Sequence, residues 1–314
     1  MSTPIGVSGP GSPYLTPRTL RAASTGISWG TIPNPKATVA ERLAEQMNIC
    51  QRASGDADAI CHQVLRATLD TEQGQGPGST RVNIQRDTGL GVITARRFPI
   101  LQVVSVQTAT ARGGPQNWSP VPSGRFWPAE PATEVYGTSA PSAVGEGSQQ
   151  ILVASGYIRG PRLSQFVQWQ YVNGWPHAGV TVTAMSGATE LEVDDCTGWA
   201  PVTDGAQGAL GVLQDGGKQE TFTCTAASAA SGPGTLTLAS PLVYQHDPGV
   251  LATTLPAQAQ LAMIYLCVAQ ALERGATATV HAQMPGTMTG AGADGQDAAR
   301  KEAARLLGPF ARWQ

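Results

Sequence analysis

An α+β fold is predicted: a small helical bundle formed by the N- and C-terminal helices, a region of strands and hairpins, and an inserted small β-barrel or sandwich. Three observations predict it. The clearest helical patterns stand near the two ends of the 314-residue chain. Between them run short alternating segments bounded by turn residues. Glycine (37) and proline (23) are abundant and cluster between those segments, as in a chain of many short strands.

Thr16 caps a short helix with Pro17 at its first position, where the missing N–H costs nothing. Leu20 and Ala23 give that helix one apolar face, and Gly26 ends it. Thr38 and Glu41 have capping-box spacing and open a longer helix in which Val39, Leu43, Met47 and Cys50 recur at helical spacing. Ser54-Gly55-Asp56 is expected to close it, and residues 56–65 add another short helical turn carrying Ile60 and Val64. The glycine-rich stretch 73–79 reads as a turn or exposed loop. Strands are expected over 81–85, 91–95 and 101–109, with Val104 and Val106 alternating with Ser105 and Gln107 in the last. Residues 113–148 read as a long loop or hairpin pinned by Trp118, Phe126, Trp127 and Tyr136.

Residues 163–172 form the best-defined strand, with Val167, Trp169 and Tyr171 on one face, Phe166, Gln168 and Gln170 on the other, and Asn173-Gly174 as the following turn. A compact β-unit then spans about 179–255, with strands near 180–184, 190–193, 208–213, 219–225, 235–238 and 250–253. Pro256 opens the strongest helix, whose stripe is Leu261, Ile264, Tyr265, Val268 and Leu272 and which Gly275 stops. After a small, polar linker over 277–295, a helical pattern returns over 295–307 with Ala298, Ala299, Ala303, Leu306 and Leu307, and Phe310 and Trp313 follow as a docking tail or a folded-back strand. The implied layout is an N-terminal arm (1–15), a helical bundle with β-extension (16–178 and 254–276), an inserted β-module (179–253), and a linker with C-terminal tail (277–314).

Charged residues make up 13% of the chain, against roughly 25% in an ordinary soluble domain. A surface so poor in charge is expected to be partly covered by neighbouring subunits. The net charge of -2 and the isoelectric point near 6.1 supply no basic field, which argues against tight nucleic-acid binding but suits a wall past which nucleic acid slides. Cys50, Cys61, Cys196, Cys224 and Cys267 are odd in number and lack C-x-x-C spacing, so buried thiols are expected, although Cys196 and Cys224 could meet across the β-unit. The opening MSTPIGVSGPGSP lacks the basic start and apolar core of a signal peptide, and the apolar run 261–272 is too short to span a bilayer.

Nothing in the chain assembles a recognisable catalytic set, so no enzyme activity, metal or cofactor is expected. His62, His177, His246 and His281 stand in unrelated contexts, and each reads as structural or exposed. Asp194 and Asp195 are adjacent, so a strand would point them to opposite faces, which is poor geometry for a glycosidase pair. Asp204, Asp215 and Asp247 lie beside Gly or Pro, where turns account for them. The glycine strings at 9–11, 74–78 and 286–295 lack the lysine and helix of a phosphate loop. Arg300, Lys301 and Arg305 alternate with Asp297 and Glu302 as on a solvated helix face.

The segments SPYLTPRTLRAASTGI, TVAERLAEQMNICQRAS, RRFPILQVVSVQTA and GYIRG…VQWQYVNGWP, in that order, resemble the head-to-tail adaptor (connector) proteins of long-tailed double-stranded DNA bacteriophages. The resemblance covers about residues 12–175 and 254–314. The segment 179–255 departs from the minimal family pattern, and its ending LTLASPLVYQHDPGVLATTLP is similar to small β-modules of phage structural proteins. The resemblance implies a virion protein forming a homo-oligomeric ring, commonly a dodecamer, at the neck. There it would bind the portal protein on one side and a tail-side stopper or tail-completion protein on the other, and let double-stranded DNA through during genome ejection. It makes Leu306, Leu307, Phe310 and Trp313 candidates for portal docking. Asp194, Asp195, Asp204 and Asp215 are candidate acids facing the channel. Two other readings are a different phage structural protein (stopper, tail terminator or capsid decoration) and a carbohydrate-binding protein stacking sugars on Trp118, Trp127, Trp169 and Trp175.

Overall fold

A computed structural model describes residues 11–76, 79, 81–110, 117–129, 149–158, 165–199, 209–274 and 293–311. Most of the expected loop 113–148, most of the expected linker 277–295, Asp204, His281 and Trp313 lie outside them. The fold is α+β, with helices at both ends and antiparallel sheets between, one of them a curled half-barrel.

Helix α1 (Pro17–Ala22) starts where Thr16 Oγ1 accepts from Thr19 N. Helix α2 (Val39–Cys61) has the complete capping box, with Glu41 Oε2 accepting from Thr38 N at 2.7 Å. It runs straight through Ser54-Gly55-Asp56 to Cys61, so the expected stop there is corrected. Packing overrides the weak propensity of those three residues. Ala53, Ala57 and Cys61 form a continuous buried stripe, Ser54 Oγ donates back to Cys50 O, and Asp56 accepts from Gln270 Nε2 on the neighbouring helix. That neighbour is α3 (Ala257–Glu273), which is buried almost all round rather than along one stripe. Helix α4 (Ala293–Leu307) completes the bundle. Alanines at 53, 57, 259, 262, 299 and 303 let the helices approach closely, and Met263, Leu266, Leu307 and Phe310 fill the space between.

The stripe on α2 differs from the expected one. Its buried residues are Gln46, Ile49, Cys50, Ala53, Ala57 and Cys61, while Val39 is 71% exposed and Leu43 39%. The chain end also differs. Leu306, Leu307 and Phe310 are all buried in the bundle's core, and Gln63 Nε2 donates to Phe310 O at 2.9 Å. As folded, these three side chains close the protein's own core and are not available as a docking surface.

The β-extension comprises β1 (Thr68–Gly76), β2 (Val82–Ile84), β3 (Gly91–Thr94), β4 (Ile100–Thr110), β5 (Ser119–Pro120), β6 (Phe126–Pro128), β7 (Gln150–Val153) and β8 (Gln165–Asn173). They form two four-stranded sheets, β1-β8-β4-β5 and β2-β3-β7-β6, around one core that includes Val82, Ile93, Ile151, Val167, Trp169 and Tyr171. Strand β1 takes in residues 73–76 of the expected loop 73–79, pairing with β8 from Thr68↔Asn173 to Gly76↔Gln165. Its glycines serve close approach: a Cβ on Gly74 would stand 3.2 Å from the Trp169 ring, and one on Gly76 only 2.4 Å from Val82. In β4 the register against β8 shifts between Val103 and Ser105, so Val104 stands out to solvent while Val106 is buried.

The β-module contains β9 (His177–Gly179), β10 (Glu190–Val193), β11 (Ala209–Gln214), β12 (Glu220–Ala227), β13 (Gly234–Leu238) and β14 (Leu251–Thr253), in the order β10-β13-β12-β11-β14-β9. The sheet curls until its two edges meet: Thr181 N donates to Glu192 O and Asp194 N to Gly179 O, each at 3.0 Å. Trp199 and Phe222 stack inside it at 5.4 Å.

The seam between bundle and module is polar, and its histidine is fully partnered. His177 Nε2 donates to Pro13 O at 3.0 Å and its Nδ1 accepts from Thr253 Oγ1 at 2.9 Å. Burial holds the ring neutral, lowering its pKa from 6.5 to about 4. Tyr14 lies edge-on to that ring at 5.3 Å, and its hydroxyl donates to Asp58 while accepting from Leu65 N.

Two outcomes follow from this packing. Phe310→Ala is expected to cost about 3 to 5 kcal/mol in urea unfolding, whereas a loosely attached tail would give almost no change. Between pH 6.5 and about 4 the unfolded chain binds a proton at His177 that the native chain refuses. Stability should therefore fall by roughly 3 kcal/mol on acidification through that window. His177→Gln, which keeps a donor for Pro13, should flatten that part of the unfolding-midpoint profile.

Candidate interaction site at the tip of the β-module

At one end of the module the segments around Ala184 and His246 run side by side. Ala184 and His246 exchange backbone hydrogen bonds at 2.9 Å in both directions, and Gly187 N donates to Leu242 O. Ala184, Leu242 and His246 are thereby buried, and between and beside them Val182, Met185, Val243 and Tyr244 stand exposed. Val243 is 66% exposed and Met185 58%, values that a monomer's core-forming residues do not show.

This apolar tip is held from within by charge. Glu220, at the start of β12, accepts from Val243 N at 2.8 Å with one oxygen and from Tyr244 N at 3.0 Å with the other. The same carboxylate lies 2.6 Å from His246 Nε2, and His246 Nδ1 lies 2.8 Å from Asp215. Asp215 in turn pairs with Arg18 of α1 at 2.7 Å. Burial acts to raise the Glu220 pKa, but the Val243 and Tyr244 amides and the His246 ring outweigh it and hold the carboxyl below its ordinary value. The tip loop is thus held by an ionised glutamate, whose partners Val243, Tyr244 and His246 lie more than twenty residues away along the chain.

The acids proposed from sequence separate here. Asp194 accepts from Gly179 N at 2.7 Å and from Ser12 Oγ. Asp195 accepts from the amide and hydroxyl of Thr197 and from Gly232 N, which is turn chemistry. Asp215 is fully buried, so its expected place on a channel wall is corrected: its charge is used internally. Asp204 and Trp313 lie outside the described residues.

Other clusters are structural in their geometry. Glu72 accepts from Tyr171 Oη at 2.6 Å and pairs with Arg81, whose guanidinium lies over the Trp169 ring at 5.0 Å. Burial, then the Asp70 charge, pushes the Tyr171 phenol up. All five cysteines are buried and free, and burial pushes Cys61 and Cys224 up to about 12, which leaves little thiolate for chemistry. Among the described residues no group of three or more His, Cys, Asp or Glu is placed to hold a metal ion. No described helix is long and apolar enough to cross a membrane.

An open groove of about 500 Å³ lies on the β2-β3-β7-β6 sheet, lined by Asn83, Gln85, Val92, Thr94, Gln150 and Leu152 among others. Trp127 is part-exposed on strand β6 of that sheet, but Trp169 and Trp175 are buried and cannot offer ring faces to a sugar. No protein-family model, curated protein or solved structure matches this chain.

Glu220→Gln leaves one oxygen where two amides and an imidazole need acceptors, so it should weaken the tip by about 1 to 2 kcal/mol. The folded-state pKa is depressed, so the ionised form's contribution is complete above the ordinary glutamate range and disappears as pH falls through the depressed value. The amide resonances of Val243 and Tyr244 report both effects, and shifts that ignore acidification would contradict this account of the tip.

Proposed function

We propose that the chain is a ring-forming structural subunit of a phage neck, an adaptor joining the portal vertex to tail-side proteins and passing double-stranded DNA. One observation carries the reading: among the exposed large apolar side chains, which also include Leu69, Val104, Trp127, Leu210 and Leu261 at scattered positions, Val39 and Leu43 stand together on α2 and four more stand together at the module tip. A closed ring joins unlike faces of successive copies, so each subunit needs two different patches of this kind. The low charge content and the bundle built from both chain ends support the same reading.

In the ring, α2 of one copy and the module of the next supply the lateral contact. Portal contact falls to the solvent side of α4, around Lys301 and Arg305, because Leu306, Leu307 and Phe310 are used internally. Asp194 and Asp195, part-exposed at the closed edge of the half-barrel, keep a weakly acidic wall.

Native mass measurement and electron microscopy of the full chain mixed with its portal should show rings of about twelve copies. Val39→Glu with Leu43→Glu should abolish the rings while changing monomer stability by no more than about 0.5 kcal/mol. A monomer that ignores the portal, or hundreds of copies spread over the capsid, would overturn the assignment.

A further inference from the structure

Arg18, Asp215, His246 and Glu220 form an unbroken chain of contacts from α1 to the amides of the module tip. We propose that this chain is a coupling device: with His246 carried as the imidazolium, the seating of α1 on the module and the order of the apolar tip rise and fall together. The inference stands on these contacts, whichever assembly the protein joins.

The charge state follows from the partners. Both ring nitrogens face carboxylate oxygens, at 2.8 Å for Asp215 and 2.6 Å for Glu220. A neutral imidazole has one N–H, so one of these contacts would set lone pair against lone pair, whereas the imidazolium donates to both. The histidine side chain is fully buried, Asp215 1% exposed and Glu220 10%. Two cations, Arg18 and His246, then stand against two anions, and the group is neutral as a whole, which is the condition on which buried charges persist. The other charged groups nearby lie at its rim: Asp247, exposed, is 3.8 Å from Arg18, and Lys218 Nζ donates to Gln245 O at 3.4 Å.

The coupling follows from which parts are fixed. The backbone exchange with Ala184 pins His246, and Asp215 sits at the end of β11 just before the short 3-10 turn Gly216–Lys218, against which Arg18 packs. The two ends of this series of contacts are its exposed parts: Arg18 of the six-residue α1 is half exposed, and Val243 and Tyr244 stand exposed on the tip loop. Withdrawing Arg18 leaves Asp215 buried with His246 as its sole cation. The imidazolium then favours Asp215, Glu220 loses its charged donor, and the two tip amides lose a fixed acceptor. Linkage makes the effect reciprocal, so a partner that grips the tip also fastens α1.

The test compares amide hydrogen exchange and imidazole nitrogen resonances in the full-length wild type, Arg18→Met, Arg18→Lys and Glu220→Gln. Arg18→Met should speed exchange at Val243 and Tyr244 roughly fivefold while β10 and β13 keep wild-type rates. Arg18→Lys, which retains the cation, should stay near wild type, and Glu220→Gln should speed exchange at Leu20 in α1. Both ring nitrogens of His246 should carry protons in the folded wild type. Faster exchange confined to α1 in Arg18→Met, or a singly protonated ring, would overturn the proposal.

Discussion

Trp175 is where the three parts of the molecule are fastened, and the rest of the structure depends on how its backbone crosses. Its amide donates to Leu65 O and its carbonyl accepts from Ala67 N, both at 2.8 Å, so the chain leaving β8 is tied to the segment linking α2 to β1. Its indole meets Phe310 edge-on at 5.4 Å, which brings the end of the chain into the same contact. The residue before it must be glycine: Gly174 has φ of 91°, and a Cβ there would stand 2.5 Å from Arg66 O. Two residues later β9 enters the module. Bundle, β-extension and module are therefore oriented by one short crossing.

The arrangement explains why polar groups are tolerated so deep inside. Gln63 is buried, yet its amide donates to Phe310 O and its oxygen accepts from Phe98 N, which ties the terminal turn to the β-extension. His177, Tyr14 and Asp58 do the same between bundle and module. Each bridges two units that have apolar cores of their own, and buried polar groups with all their partners present specify one mutual arrangement.

Much of this was legible in the sequence, where the signal was local. The Thr38 capping box, the alternation of Val167, Trp169 and Tyr171, and five of the six module strands follow from spacing alone. The misreadings share a physical cause, since each residue's partner lies on another element. Gly74 and Gly76 look like turn formers until Trp169 and Val82 press against them, and Ser54-Gly55-Asp56 looks like a helix stop until the flanking Ala53 and Ala57 are packed in the bundle and Gln270 of α3 donates to Asp56. Phe310 looks unburied until Trp175 is beside it. The tip was less legible still. His246, Asp215 and Glu220 come together only through strand pairing, and isolated acids near glycine carry the signature of turns.

The central claim is that both ends of the chain belong to one helical core closed over Trp175, with the β-module inserted between them. Hydrogen exchange of the full chain across a urea series tests it most directly. The amides of α2, α3 and α4 should lose protection in a single transition, with the Trp175 crossing opening at the same denaturant concentration. Exchange of α4 at markedly lower urea than α2 and α3 would contradict the account, since it would make the C-terminal helix an appendage of a core complete without it.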